Sequence, residues 1–199
     1  DKKISNEFQN NGVVLLKKII DQKWIEELRK GIEYNFQNPS KYKCVYEESD
    51  NQEIFYDDYC NWQRIKEYKN FIFNSDIAKI AGSLMQSNKV NLFHEHVLIK
   101  EKGSKKRTPW HQDQGYYCVQ GRDNVSIWIP LDKIDINSSM EFILGSHKWD
   151  KIFLPTKFKG NDYEHKDKEF EKIPDIENNR KDYETVSYTH LRAHETDVD

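Results

Sequence analysis

The chain has 199 residues, which is enough for one domain with a hydrophobic core. Charged residues make up 33% of the sequence, but the formal net charge is only −3. This balance gives no reason to expect nucleic acid or an anionic membrane as a partner, and no apolar run approaches the roughly 20 residues of a membrane helix.

Two secondary-structure elements, a strand and a helix, are predicted in the first third of the chain. A turn at Asn11-Gly12 leads into a short apolar strand over residues 13–16. Asp21 is then placed to cap a helix. One face of that helix is apolar: Trp24, Ile25, Leu28, Ile32 and Phe36. Residues 37–62 show no clear period, so we expect a surface excursion there.

A second short helix is predicted from Ser75 to Met85, and strands follow it. The stretches VNLFHEHVLIKEKG, DNVSIWIPLD and MEFILGSH each have β-type patterns. Helices first and strands afterwards favour an α+β, mostly-β domain with an antiparallel sheet or barrel. Residues 156–184 are charge-dense and predict a loop or insertion.

The last fourteen residues, VSYTHLRAHETDVD, fit none of the preceding patterns. They resemble strings at the ends of unrelated translated metagenomic sequences. We therefore expect one domain over residues 1–185 and a non-native tail over residues 186–199.

The cysteines bear on the cellular setting. Cys44, Cys60 and Cys118 are odd in number and lack C-x-x-C spacing, so neither a disulfide framework nor a zinc knuckle is indicated. A reducing compartment such as the cytoplasm is the simplest setting. Because the sequence starts at Asp1, whether a targeting segment precedes it stays open.

The main candidate for chemistry is the H-x-D pair His111 and Asp113. On a strand these side chains would point to the same side and could bind one metal ion. A second histidine would complete a 2-His-1-carboxylate triad, which leaves positions open on Fe(II). The composition alone predicts about 0.6 such pairs by chance, and a second pair, His165 and Asp167, lies in a charge-dense run that reads as solvated loop.

The surroundings of His111 favour a site over chance. Trp110 precedes the pair and two tyrosines follow it, as in a pocket with aromatic walls. Tyr116 and Tyr117 are candidates for the substrate side. A hydrogen-bonded, half-buried histidine beside a surface aspartate is the alternative reading. Three further histidines are expected to be structural: His94 and His96, which share a strand face, and His147, which would fix a turn.

Four motifs in order, LIKEKG, TPWHQDQGYY, VSIWIPLD and FILGSHKW, resemble the phytanoyl-CoA dioxygenase family of Fe(II)/2-oxoglutarate oxygenases. The segment NGVVLLKKIIDQKWIEELRKGI is also similar to that family's opening strand and helix, so the likeness covers most of residues 8–155. The resemblance implies a double-stranded β-helix, or jelly-roll, core with helices packed on one side.

The resemblance also implies roles for individual residues. His111 and Asp113 match two of the three iron ligands. Lys100 matches a position that contacts 2-oxoglutarate, which suits a cation facing a dianion. Gln112 and Trp128 match residues that line the same co-substrate pocket.

The chain departs from the family pattern downstream. The family's third ligand is a histidine after a Gly-Asp turn, and an arginine beyond it pairs with the far carboxylate of 2-oxoglutarate. His190, Arg192 and His194 lack that context. We therefore expect a truncated domain without its last iron ligand, that arginine and the closing strands.

For the full-length protein the expected function is hydroxylation of a small organic substrate with Fe(II), 2-oxoglutarate and O₂, while the fragment itself would be inactive. A carboxylate ligand at Asp113 argues against a halogenase. Two alternatives remain: a non-catalytic small-molecule-binding module on the same fold, and a cupin-like metal hydrolase. The sequence reveals neither the substrate nor the oligomeric state.

Overall fold

The computed structural model describes residues 2–47, 54–100, 107–134, 136, 139–157 and 170–188. The chain forms two compact units, each assembled from several stretches of sequence. Of the described residues, the sheet–helix unit comprises 15–47, 54–100, 125–134 and 136. The H-x-D unit comprises residues 2–14, 107–124, 139–157 and 170–188.

Helices and short strands make up the regular structure. The helices are α1 (Lys2–Asn11), α2 (Gln22–Gln37), α3 (Lys66–Asn74) and α4 (Ile77–Met85). The strands are β1 (Cys44–Glu47), β2 (Ile54–Tyr59), β3 (His96–Lys100), β4 (Glu141–Ile143) and β5 (Thr185–Ser187). Within the described ranges, no helix is long and apolar enough to cross a membrane.

The α+β class is confirmed, but the described part of the chain has more helix than strand, contrary to the mostly-β prediction. Its strands form a three-stranded and a two-stranded sheet. A closed jelly roll is therefore not visible in these ranges, and that core remains what the family resemblance implies.

The sheet–helix unit is built on an antiparallel sheet in the order β1-β2-β3. Successive residues of a strand face opposite sides, so Tyr56 of β2 points towards the helices. There the hydroxyl of Tyr56 lies 3.2 Å from the amide nitrogen of Asn35 in α2. The core on this side joins Val97 of β3 to Ile65 and Tyr68, and Leu28 and Ile32 of α2 pack against it.

Three local predictions were wrong. Residues 37–62 are not a surface excursion, because β1 and β2 lie within them and residues 55–58 are buried. Residues 13–16 form no strand, and the helix α1 precedes them. Residues 123–130 of the motif DNVSIWIPLD are irregular. Aspartates in a buried strand break the apolar pattern, which explains the first error.

The two predicted helices are confirmed as α2 and α4. Ile25 of α2 is buried, whereas Phe36 on the same predicted face stays 48% exposed and packs its edge against the ring of Tyr56. Ala81 and Leu84 are the buried apolar side chains of α4. Asp21 occupies the N-cap position of α2 without a side-chain capping bond.

Asp58 of β2 is a fully buried carboxylate with several hydrogen-bond donors. The Ser40 backbone N–H donates at 2.8 Å, the Ser40 hydroxyl at 2.5 Å, and the Asn35 amide at 2.8 Å. Burial alone would raise the pKa of Asp58, but these hydrogen bonds outweigh it and lower the pKa to about 2. The charged carboxylate thus ties α2 and the following loop to the central strand.

This hydrogen-bonded carboxylate makes stability depend on pH. The pKa of Asp58 falls from an ordinary value of 3.8 to about 2 in the folded chain. Its ionised form therefore contributes about 2 kcal/mol to the free energy of unfolding at neutral pH. That contribution is present above pH 4 and is lost as the pH falls from about 4 to about 2. Urea unfolding of the wild type and Asp58→Asn should show a difference in stability that shrinks over this range. A difference independent of pH would contradict the prediction.

Candidate metal centre

His111 and Asp113 face each other in the H-x-D unit. The distance from His111 Nε2 to Asp113 Oδ1 is 3.4 Å. The two residues lie outside any strand, contrary to the strand geometry considered for them. Gln112 between them is nevertheless extended, with φ of −115° and ψ of 126°, which places both side chains on the same side of the chain. Asp113 then begins a 3-10 turn that runs to Tyr116.

Gly115 allows this turn to lie close to the segment at Phe153. A Cβ atom at position 115 would lie 2.5 Å from the Phe153 carbonyl oxygen, well inside van der Waals contact. Gly115 is buried, and its N–H donates to the Gln112 carbonyl at 3.3 Å. Only glycine fits here without moving backbone, which explains the glycine two residues after Asp113.

The orientation of the His111 ring is set by a backbone carbonyl. Nδ1 lies 2.8 Å from the Pro109 oxygen, which can only accept, so Nδ1 carries a proton and Nε2 faces Asp113. Partial burial lowers the pKa of His111. The hydrogen bond to Asp113, the Pro109 carbonyl and the charge of Asp113 outweigh that effect and raise the pKa above its ordinary value. Metal binding at Nε2 would therefore compete with a proton held by Asp113.

The pair fits a ferrous ion in chemistry and spacing. Two neighbouring ligand atoms at about 2.1 Å from one metal are about 3 Å apart, close to the 3.4 Å between these atoms. A histidine whose Nδ1 is bound to a carbonyl is the usual arrangement for a metal-ligating imidazole. His111 and Asp113 can thus supply two ligands.

A third ligand is not found in the part of the chain that the structure describes. There, no group of three or more His, Cys, Asp or Glu residues is close enough to hold a metal ion. His165, Asp167, His190, Arg192 and His194 lie outside the described residues. The pair therefore accounts for part of a ligand set.

Gln112 and Tyr116 connect the turn to residues 151–156. The Gln112 amide donates to the Lys151 carbonyl at 3.0 Å and accepts from the Phe153 N–H at 3.1 Å. The Tyr116 hydroxyl donates to the Thr156 carbonyl at 2.6 Å and accepts from the Thr156 N–H at 2.9 Å. Both side chains thus hold the turn against residues 151–156. The co-substrate role of Gln112 and the substrate role of Tyr116 stay predictions.

Lys100 and Trp128 belong to the sheet–helix unit. Lys100 ends β3, is exposed, and places its Nζ 5.7 Å from the centre of the Phe55 ring. Trp128 is half-buried in an irregular stretch. Their predicted contacts with 2-oxoglutarate also stay predictions.

His94 and His96 do not share a strand face as predicted, because β3 begins at His96 and His94 precedes it. Both side chains pack within the sheet–helix unit. The ring of His94 stacks at a tilt on Phe93, with centroids 4.7 Å apart. Nε2 of His96 lies 3.7 Å from a carboxylate oxygen of the buried Asp57, which also accepts from the Tyr46 hydroxyl at 3.3 Å. Asp57 is on the neighbouring strand, so a local sequence pattern could not indicate this contact.

His147 was expected to fix the turn in which it lies, but its ring contacts the end of α1. Its Nε2 lies 3.1 Å from the Gln9 carbonyl oxygen, and its ring covers Gly12 so closely that a Cβ there would collide with it. The Gly145 N–H donates to the Asn11 carbonyl at 2.8 Å. These contacts fasten the end of α1 to the turn after β4.

An ion-pair network that the sequence analysis missed lies beside Trp110. Arg180 donates two hydrogen bonds to Glu141, at 2.9 and 3.0 Å, and two to Glu177, at 3.0 and 3.2 Å. Glu177 accepts from the Trp110 indole N–H at 2.8 Å, and Arg107 pairs with Glu141 at 2.8 Å. The hydrogen bonds from Arg180 hold the pKa of Glu141 below its usual value. The network connects the residue before His111 with β4 and with residues 177–180, which the charge-dense sequence predicted as loop.

The close approach at Gly115 predicts the effect of a single methyl group. Gly115→Ala should push the turn away from Phe153 and lower the free energy of unfolding by about 1–3 kcal/mol, the usual cost of overpacking. Urea denaturation measures this difference, with Cys118→Ala as the control because Cys118 is exposed. Equal midpoints for Gly115→Ala and the control would show that the turn has room for a side chain.

Comparisons with known proteins identify the family. The family model described as phytanoyl-CoA dioxygenase (PhyH) matches residues 8–190, and members of that family are typically Fe(II)- and 2-oxoglutarate-dependent oxygenases. The match and the strand β5 both extend past residue 185, where the sequence analysis placed the end of the domain. A search of curated proteins and a search of solved structures each gave no match. The family match covers most of the chain, which therefore belongs to the phytanoyl-CoA dioxygenase family.

Proposed function

We propose that the full-length protein is an Fe(II)- and 2-oxoglutarate-dependent dioxygenase that hydroxylates a small organic substrate. The observation that carries the proposal is the 3.4 Å approach of His111 Nε2 to Asp113 Oδ1 within a domain of an oxygenase family. An imidazole and a carboxylate so placed are two members of the facial triad that non-haem Fe(II) oxygenases use.

When bound, Fe(II) with 2-oxoglutarate and O₂ would supply oxidative decarboxylation to succinate and CO₂, with the second oxygen atom inserted into a substrate C–H bond. His111 would bind the metal through Nε2, because Nδ1 is held by the Pro109 carbonyl. Asp113 would supply a carboxylate oxygen. Lys100, Gln112 and Trp128 keep the co-substrate roles that the family resemblance implies for each of them, with the ammonium of Lys100 suited to a carboxylate of the dianion.

The carboxylate of Asp113 also favours one reaction type. A halogenase needs the position of this ligand vacant for chloride, whereas Asp113 already turns an oxygen towards His111. Hydroxylation is therefore the proposed outcome. The third ligand, which completes the triad, is proposed to come from residues outside the described ranges.

Succinate release tests this function. Full-length protein with Fe(II), 2-oxoglutarate, O₂ and a broad panel of small substrates should form succinate, and His111→Ala or Asp113→Ala should abolish the product. No succinate from the wild type across the panel would contradict the proposal. Metal analysis would then separate a zinc hydrolase from a non-catalytic binding module.

Lys100→Ala gives a more specific prediction. Loss of the ammonium should raise the KM for 2-oxoglutarate about tenfold or more, as expected for a charge-assisted contact, with a smaller effect on kcat. Lys148→Ala is a matched control, since Lys148 is also exposed but lies at the end of the turn after β4. Equal KM values for the two variants would exclude Lys100 from co-substrate binding.

A further inference from the structure

We infer that Tyr117 is a positioning residue for the Asp113 carboxylate, and not the substrate-side residue that the sequence suggested. The inference deepens the proposed function and rests on it, because Asp113 matters only if it binds the metal. It concerns which of the two oxygens of Asp113 faces the metal and how that orientation is held.

The two oxygens of Asp113 have different neighbours. Oδ1 lies 3.4 Å from His111 Nε2, whereas Oδ2 accepts a hydrogen bond from the Tyr117 hydroxyl at 3.2 Å. The Asp113 side chain is 43% exposed, so packing alone leaves it room to rotate. A hydrogen bond to a charged acceptor is stronger than one between neutral groups, and here it holds one orientation of the carboxylate.

The 3-10 turn brings Tyr117 back onto Asp113. The turn runs from Asp113 to Tyr116, and the Tyr117 N–H donates to the Gln114 carbonyl at 3.2 Å. Tyr117 then continues in an extended conformation, with φ of −94° and ψ of 144°. Its hydroxyl therefore reaches a carboxylate four positions earlier in the chain.

The adjacent tyrosine has a different partner. The hydroxyl of Tyr116 is bound to the backbone N–H and carbonyl of Thr156, while its ring packs edge-on against His111 at 5.8 Å. Tyr116 thus anchors the turn to a neighbouring segment, and Tyr117 orients the ligand. The two consecutive tyrosine hydroxyls thus have separate partners.

This arrangement has a consequence for metal binding. Residues that hydrogen-bond a ligating side chain fix its orientation, and their loss weakens metal affinity by about 10–100-fold. An oxygen that already accepts a hydrogen bond is also a poorer second ligand. With Oδ2 bound to Tyr117, Oδ1 is the oxygen that Asp113 would offer to a metal beside His111 Nε2.

The experiment measures metal affinity without catalysis. Mn(II) serves as a redox-stable probe for Fe(II), and the loss of its free-ion electron paramagnetic resonance signal gives the dissociation constant with the 199-residue chain. Tyr117→Phe should weaken Mn(II) binding about tenfold relative to wild type. Tyr183→Phe should leave the affinity at the wild-type value, because it also removes one tyrosine hydroxyl, from a ring that packs against Trp149. Asp113→Ala defines the affinity without the carboxylate.

The outcomes separate the inference from the function on which it rests. Equal affinities for wild type and Tyr117→Phe, or equal losses in both tyrosine variants, would overturn the positioning role and leave the metal site standing. Wild-type binding no tighter than that of Asp113→Ala would overturn the metal site itself, and the positioning role with it.

Discussion

The tight turn after His111 is the constraint on which the candidate site depends. Gln112, just before the turn, is extended, so the side chains of His111 and Asp113 lie on the same side of the chain, 3.4 Å apart. The turn requires Gly115, since any side chain there would meet the Phe153 carbonyl. Pairing of Gln112 and Tyr116 with residues 151–156 then fixes the turn from its other side. Backbone packing thus holds the candidate ligand pair in place.

Buried polar groups hold the sheet–helix unit together. Asp58 and Asn35 are fully buried, and their hydrogen bonds join the central strand to α2. Burying a carboxylate is costly unless donors surround it, and the low pKa of Asp58 shows that the donors prevail. The buried carboxylate of Asp57 is only partly satisfied: one oxygen accepts from the Tyr46 hydroxyl and lies beside His96, while the other is buried without a hydrogen-bond partner among the described residues.

The candidate ligands could be picked out from the sequence, but most of the structure around them could not. His111 and Asp113 stood out because two metal-capable groups lay among aromatic residues, and α2 and α4 followed from apolar periodicity. The strand β2 was missed because its aspartates satisfy their hydrogen bonds only through distant residues such as Ser40. The contacts of Tyr117 and Arg180 were out of reach for a similar reason: their partners are set by a turn and by chain segments far apart in sequence. A local pattern carries no information on such contacts.

The family match adds the chemistry that two residues alone cannot specify, and that chemistry requires His111 to bind metal through Nε2 beside Asp113. Nitrogen-15 NMR of the histidine side chains during titration with Zn(II), a diamagnetic probe, measures this binding. We expect a large shift at Nε2 of His111, a retained proton on Nδ1, and loss of the effect in Asp113→Ala. An unshifted His111 at saturating Zn(II), or coordination through Nδ1, would exclude this mode of binding.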